Sequence, residues 1–243
     1  MSKPVTQQRL AKAFVDLAAS AVTDPSDPTG LLAALAAHGS ELLDDCAAIV
    51  LYAPDDHTPP QVAGTGEELM RLARDAAHWS EGPGPEARRT GRPVPDTPLD
   101  GERAQRDWPR YAARAVQLGY GRAAALPLHV GHNTLGALVL LGRDGTPLSP
   151  ELLELGQSFT DVAGWTLERE RRLNESRALA DQLGQALTSR IVIEQAKGTL
   201  AARLSISVDE AFRLLRTHAR SHRRRLTDVA REVVERRLEV PAE

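Results

Sequence analysis

The residues of this 243-residue chain that could do chemistry are mostly arginines near its C-terminal end. Residues 186–238 hold twelve Lys or Arg and six Asp or Glu, whereas residues 1–165 hold 14 basic and 21 acidic residues. Guanidinium groups bind phosphates through paired hydrogen bonds and stack on planar bases. A basic segment in a chain of net charge −3 therefore indicates a polyanionic partner. The alternative is that these arginines only solvate helix surfaces.

The sequence carries none of the common catalytic motifs. It has no HExxH, no P-loop, no G-x-S-x-G and no GxGxxG after a strand. Of seven histidines, only His218 and His222 are spaced i, i+4, and the surrounding arginines disfavour a metal cation there. The single cysteine, Cys46, begins an apolar run and is expected to be a small core residue. We therefore predict a protein that is not an enzyme and that has no catalytic residues, metal or cofactor.

The basic residues lie on three consecutive helical patterns. The first covers residues 187–204. The second opens with a capping box formed by Ser207 and Glu210, and its apolar residues share one face. Thr227 is expected to cap the third. Because three short amphipathic helices cannot bury their apolar stripes alone, the sequence predicts a small three-helix module.

Several residues occur across this module in a specific order and spacing. They are Arg190, Ile193, Glu194-Gln195-Ala196-Lys197-Gly198, Asp209-Glu210-Ala211-Phe212, Leu215, Ala219-Arg220 and Leu226-Thr227-Asp228-Val229-Ala230. In these residues the module resembles an ANTAR domain, the RNA-binding antitermination module of bacterial regulators. Two features depart from the family pattern. Leu200-Ala201 stands where many members have Leu-Met, and the basic run Arg223-Arg224-Arg225 precedes the third helix.

The resemblance implies that this module binds paired RNA hairpins in nascent transcripts. Proteins read such RNA through splayed loop bases and backbone phosphates. Lys197 is the leading candidate contact, and the neighbouring Gly198 would let an RNA backbone approach closely. The predicted RNA-binding residues are Arg190, Lys197, Gly198, Arg220, Arg223 and Arg224.

The N-terminal part has the pattern of an α+β domain with an antiparallel sheet and flanking helices. Helices are expected at residues 9–22, 31–43, 67–79 and 108–118, and strands at 46–52, 61–63, 123–130 and 135–141. Residues 81–107 are dense in Pro, Gly and charge, which predicts an elaborated loop with a short edge strand near Pro93-Val94. Ser149 is expected to cap a last helix that continues past Trp165.

Five short stretches of this part of the chain stand out. They are Asp44-Asp45-Cys46-Ala47, Glu81-Gly82-Pro83, Trp108-Pro109, Ala125-Leu126-Pro127-Leu128 and Leu135-Gly136-Ala137-Leu138. In these stretches the chain, over roughly residues 10–167, resembles a GAF domain of the kind found in actinobacterial regulators. Relatives often have a cysteine where this chain has Gly84, so no thiol chemistry is expected there. The resemblance implies a pocket for a small-molecule ligand, with Tyr52, Trp79, Trp108 and Tyr111 as candidates. The alternative is that these aromatic residues only anchor the core and loops.

Between the two domains, Leu173, Ala180 and Leu187 lie seven residues apart with Leu183 between the last two. This spacing predicts a short parallel coiled coil and hence a homodimer, although a solvated linker helix remains the alternative. We predict a GAF-like domain at residues 10–165, a helical linker at 166–185 and an ANTAR module at 186–238. The sequence has no signal-peptide pattern and no membrane-spanning segment, so a cytoplasmic protein is expected.

The function implied is that of an RNA-binding transcription antitermination regulator, in which the GAF domain senses a signal and the ANTAR helices stabilise an antiterminator. Two alternatives stay open. The chain could be a DNA-binding transcriptional regulator with a basic helical tail, or a ligand-sensing or partner-binding module whose tail only dimerises.

Overall fold

The computed structural model describes residues 7–19, 28–42, 46–54, 57–143, 146–235 and 237–238. The chain forms two compact units, a first unit of residues 1–173 and a second unit of residues 174–243. Asp44 and Asp45, which were expected to lead into the first strand, lie outside the described residues.

The first unit is built on a five-stranded antiparallel sheet with the strand order β2-β1-β5-β4-β3. The strands are β1 (Ala47–Tyr52), β2 (Gln61–Gly64), β3 (Val94–Pro98), β4 (Arg122–Val130) and β5 (Asn133–Gly142). The two predicted hairpins are confirmed, since β1 pairs with β2 and β4 pairs with β5, both antiparallel. The predicted α+β class is therefore correct.

Helices cover both faces of this sheet. They are α1 (Gln7–Ala19), α2 (Thr29–Leu42), α3 (Glu67–Trp79), α4 (Pro83–Thr90), α5 (Glu102–Asp107) and α6 (Pro109–Gln117). Alternate strand residues point to opposite faces. Val50 packs with α1, α2 and the helix that follows β5, whereas Ile49 packs with α3 to α6. Because both faces are buried, the central strands read as nearly continuous apolar runs.

The segment predicted as an elaborated loop, residues 81–107, contains two helices as well as the edge strand. Helix α4 begins with Pro83 at its first position and ends at Gly91, which is left-handed. Gly82 has φ +105°, and a Cβ there would lie 2.8 Å from the ring of Tyr111. These helices are short and polar, so they lack the apolar period by which longer helices are recognised.

A 55-residue helix, α7 (Pro150–Leu204), contributes to both units. The amide of Leu152 donates a hydrogen bond to Ser149 Oγ at 3.2 Å, which confirms the predicted N-cap. In the first unit the helix lies against the β4–β5 hairpin. A Cβ at Gly164 would be 1.9 Å from the carbonyl oxygen of His129, so only glycine fits there.

The second unit packs the C-terminal part of α7 with α8 (Val208–Ser221) and α9 (Leu226–Val234). Its buried residues are Ala196, Leu200, Ala211, Leu215, Ala219, Val229, Ala230 and Val233. The capping box is confirmed, because the Glu210 amide donates to Ser207 Oγ at 3.2 Å and the Ser207 amide donates to the Glu210 carboxylate at 3.0 Å. The predicted cap of the third helix is wrong. Helix α9 begins at Leu226, which packs against the core, so Thr227 lies inside the first turn.

Candidate nucleic-acid interface

A row of arginines lies along the exposed side of α8. Arg213, Arg216 and Arg220 are spaced three and four residues apart, which places them on one helical face, away from the buried Leu215. Arg223 lies two residues after the last residue of the helix. All four are exposed. Arg213 lies 3.7 Å from the Glu210 carboxylate, whereas the others make no ion pair with any residue that the structure describes. We call Arg216, Arg220 and Arg223 the arginine row.

Arg223 sits in a strained backbone conformation that ends α8. Its φ is +51°, in the left-handed region that favours glycine. The turn is closed by the amide of Arg224, which donates to the Ala219 carbonyl at 2.8 Å, and by the amide of Arg223, which donates to the Arg220 carbonyl at 3.1 Å. For a residue other than glycine, this conformation costs about 1 kcal/mol.

Lys197, the leading candidate from sequence, is largely enclosed. Its side chain is 16% exposed, its ammonium group lies 2.9 Å from the Glu194 carboxylate, and it also lies 5.4 Å from the ring centroid of Phe212. Phe212 and Arg216 are four residues apart on α8, so this contact brings one edge of α7 beside the arginine row. Arg190, seven residues before Lys197, lies on the same side of α7 and is exposed.

Arg224 points to α9 and forms a bidentate ion pair with Glu232, with nitrogen–oxygen distances of 2.9 Å and 2.5 Å. Hydrogen bonding to Glu232 raises the pKa of Arg224, and hydrogen bonding to Arg224 lowers the pKa of the Glu232 carboxyl. The positive charge of Arg224 is therefore compensated within the module, where it joins the end of α8 to α9.

Gly198 occupies an exposed position inside α7. A Cβ placed there would meet nothing within 4 Å among the described residues. Glycine in a helix interior costs about 1 kcal/mol relative to alanine, so packing inside the described part of this unit gives no reason for it.

The sequence predicted the six RNA-binding residues as one set, whereas the structure places them in different surroundings. Arg220 and Arg223 lie together, while Lys197 and Arg224 serve contacts between helices. Sequence reasoning missed Arg216, although its spacing of four residues from Arg220 on the polar face of α8 was a readable signal.

The two histidines of α8 stack on each other rather than forming a metal site. The ring centroids of His218 and His222 are 4.1 Å apart. Burial lowers the pKa of His218, and the nearby His222 and Arg224 act in the same direction. No group of three or more His, Cys, Asp or Glu suited to a metal ion occurs among the described residues.

The four aromatic candidates for a sensor ligand do not line one pocket. Trp108 and Tyr111 are buried together on the side of α3 to α6, with ring centroids 6.4 Å apart, and Trp108 Nε1 donates to Glu86 at 2.9 Å. Tyr52 is buried on the opposite face of the sheet, and Trp79 is half-buried. Burial raises the pKa of Tyr111, whose hydroxyl has no hydrogen-bond partner among the described residues.

A groove of about 600 Å³ lies instead at the surface of the first unit, between the β4–β5 turn and α7. Its lining includes His129, His132, Trp165 and Arg172, and Trp165 is 71% exposed. None of the four predicted aromatic residues lines this groove.

Comparison with known proteins identifies both parts of the chain. Residues 25–168 match the GAF domain family, and residues 181–234 match the ANTAR domain family. The chain belongs to the GAF domain family and carries an ANTAR domain after it. The ANTAR match implies RNA-binding antitermination, and the GAF match implies a sensor domain. Regulators that combine these two domains are typically not enzymes.

Solved structures with similar folds share little sequence with this chain. A bacteriophytochrome from the photosynthetic bacterium R. palustris has 15% identity and a TM-score of 0.53, covering 78% of this chain and 41% of that one. The GAF domain of a phosphotransferase from Acinetobacter has 9% identity and a TM-score of 0.49, covering 69% and 96%. The GAF domain of a sensor histidine kinase described as putative, from Pseudomonas syringae pv. tomato, has 15% identity and a TM-score of 0.44, covering 70% and 90%.

At these identities the first similarity supports the fold alone. No curated protein sequence matches the chain. Within the described residues, no helix has both the length and the apolar character needed to cross a membrane.

Proposed function

We propose that the second unit binds paired RNA hairpins in nascent transcripts and stabilises them as an antiterminator, so that the terminator hairpin does not form. The observation that carries this proposal is the arginine row, whose charges have no ion-pair partner among the described residues. Uncompensated guanidinium groups on one exposed face are suited to RNA phosphates. The ANTAR match supports RNA as the polyanion.

The predicted contacts take different parts in this proposal. Arg190, Arg220 and Arg223 are exposed and contact RNA directly. Lys197 and Arg224 contact RNA only by exchanging their carboxylate partners for a phosphate. Gly198 leaves room for the RNA backbone, because no described atom lies within 4 Å of the Cβ position.

The proposal assigns residues 10–165 to a GAF sensor for a small-molecule signal, residues 166–185 to a helical linker and residues 186–238 to RNA binding. It also includes a homodimer formed through α7. Leu179, Leu183, Leu187 and Ile191 follow one another at four-residue spacing and are 57%, 63%, 61% and 49% exposed. This apolar face supports pairing with a second copy, which would supply two RNA-binding modules. Action on nascent transcripts places the protein in the cytoplasm.

The test is a competition experiment with the full-length chain. Fluorescence anisotropy compares a two-hairpin RNA with a duplex DNA of equal length at several salt concentrations. We expect preference for the hairpin RNA and a steep loss of affinity as salt increases, because several phosphates are neutralised. Preference for duplex DNA would favour the alternative of a DNA-binding transcriptional regulator. Absence of salt-dependent binding to either nucleic acid would contradict both the RNA-binding proposal and the DNA-binding alternative.

A further inference from the structure

We infer that Arg216, Arg220 and Arg223 form a phosphate-binding row that follows the RNA backbone, so that it sets the affinity of the module and not its sequence preference. This inference rests on the proposed RNA-binding function. It adds Arg216 to the predicted contacts and assigns the row to the sugar-phosphate backbone rather than to the bases.

The first argument is the distribution of charge in the second unit. Five of the six acidic residues between positions 186 and 238 are held by other cations. The ion pairs are Glu194 with Lys197, Glu210 with Arg213, Asp228 with Arg231, Glu232 with Arg224 and Glu235 with Arg237. None of these carboxylates pairs with the arginine row. The row therefore keeps its full charge, which is the property that releases counterions when a protein neutralises phosphates.

The second argument is the shape of the row. Arg216 and Arg220 are one helical turn apart, about 6 Å along the axis at 1.5 Å per residue. Arg223 extends the row beyond the end of α8. Cationic residues that follow one another along a helix and its end match successive phosphates better than they match the edge of a single base. Contacts of this kind position nucleic acid but carry no sequence information.

The third argument is that this unit presents no exposed Phe, Tyr or Trp ring for base stacking. Phe212 is the only Phe, Tyr or Trp in residues 174–243. It is partly buried, and the Lys197 ammonium group lies over its ring at 5.4 Å from the centroid. Platforms that bind single strands by stacking present exposed aromatic rings to successive bases. Phe212 is not placed to do so.

The fourth argument is the conformation of Arg223. A left-handed residue at the end of a helix is most stable as glycine, yet the chain has an arginine there with φ +51°. Its side chain is exposed and makes no ion pair with any described residue. The turn leaves this cation exposed at the end of α8, where a phosphate from outside the chain can reach it.

The experiment measures the dissociation constant of the full-length protein for a hairpin RNA between 50 and 200 mM salt. Arg216→Gln, Arg220→Gln and Arg223→Gln each remove one charge from the row. Each should lower the slope of log Kd against log salt by about 0.7 to 0.9. The change in Kd over this salt range should therefore become about threefold smaller. The reduction should be the same for hairpins with different loop sequences.

The matched controls are Arg231→Gln and Arg237→Gln, which remove the same charge from positions that are ion-paired to Asp228 and Glu235 and are not among the proposed RNA contacts. Their salt slopes should stay within error of the unchanged protein. Arg223→Gly is a further control for folding. It keeps the left-handed turn and relieves its strain, so it should weaken RNA binding as much as Arg223→Gln while the helical circular dichroism signal is kept.

The outcomes separate the two claims. If the unchanged protein binds no hairpin RNA, the proposed function fails and the inference fails with it. If it binds RNA but the row variants keep its salt slope, the inference alone is wrong. Losses that depend on loop sequence would also overturn it, because they would show that the row reads bases.

Discussion

Two glycines inside α7 allow a direct test of the RNA contact assigned to Gly198. Gly198 and Gly184 are both exposed, and a Cβ at either position meets nothing within 4 Å among the described residues. Replacing either by alanine removes the helix-propensity cost of glycine and loses no contact. Each of Gly198→Ala and Gly184→Ala should therefore stabilise the local helix by about 1 kcal/mol.

The two variants should differ only in RNA binding. A methyl group at residue 198 occupies the space through which the proposed RNA backbone approaches. We expect about tenfold weaker binding of a two-hairpin RNA, equivalent to about 1.4 kcal/mol. Gly184→Ala should leave this affinity unchanged, because position 184 lies fourteen residues before Gly198 on α7, about 21 Å along the helix axis, and before Arg190, the first proposed RNA contact.

Both effects can be measured on the full-length protein. Hydrogen exchange followed by mass spectrometry reports local opening of α7, and 1 kcal/mol corresponds to about fivefold slower exchange. Fluorescence anisotropy gives the RNA affinity. If Gly198→Ala slows exchange and binds RNA as tightly as the unchanged protein, the assignment of Gly198 as a contact is refuted. If neither variant slows exchange, the estimate of the glycine cost is wrong.

Three further predictions concern packing, pH and assembly. Gly164→Ala places a Cβ 1.9 Å from a backbone carbonyl oxygen. Chemical denaturation should therefore show that the free energy of unfolding of the first unit falls by about 3 kcal/mol or more. Gly30→Ala, whose Cβ would meet nothing within 4 Å among the described residues, should not lower this free energy. Burial lowers the pKa of His218, so the folded state binds fewer protons than the unfolded state. The stability of the second unit should therefore be fully present above about pH 6.5 and fall as the pH drops below it. Hydrogen exchange of α8, corrected for the pH dependence of the intrinsic exchange rate, should show smaller protection factors at about pH 5.5 than at about pH 7; equal protection factors would contradict this. Leu187→Glu puts a charge on the exposed apolar face of α7 and should shift the sedimentation coefficient towards that of the monomer. Val116→Glu, at an exposed valine of the first unit, should leave the sedimentation coefficient unchanged. Equal behaviour of the two variants would argue against pairing through this face of α7.

Much of the fold was predictable because its signals are local. The β4–β5 hairpin follows from two apolar runs around a short turn, and the Ser207–Glu210 capping box from two residues at fixed spacing. The sheet order was not predictable in the same way, since β1 pairs with β5 across more than eighty residues of sequence. Helices α4 and α5 were missed because Pro, Gly and charge conceal short helices whose stability comes from tertiary contacts.

The candidate site shows a more specific limit, because a count of basic residues does not say which charges are available to a partner. Lys197 is the leading candidate in the sequence, ahead of Arg220. In the structure Lys197 has Glu194 three residues before it and Phe212 on the next helix, whereas Arg220 has no ion-pair partner among the described residues. The same contrast separates Arg224 from its neighbour Arg223, since the turn that closes α8 directs the Arg224 side chain to Glu232 on α9. Each carboxylate that holds a cation between helices removes that cation from the nucleic-acid surface. The positions of the acidic residues in the folded module therefore select which arginines are free to bind phosphate, and that selection requires the three-dimensional contacts.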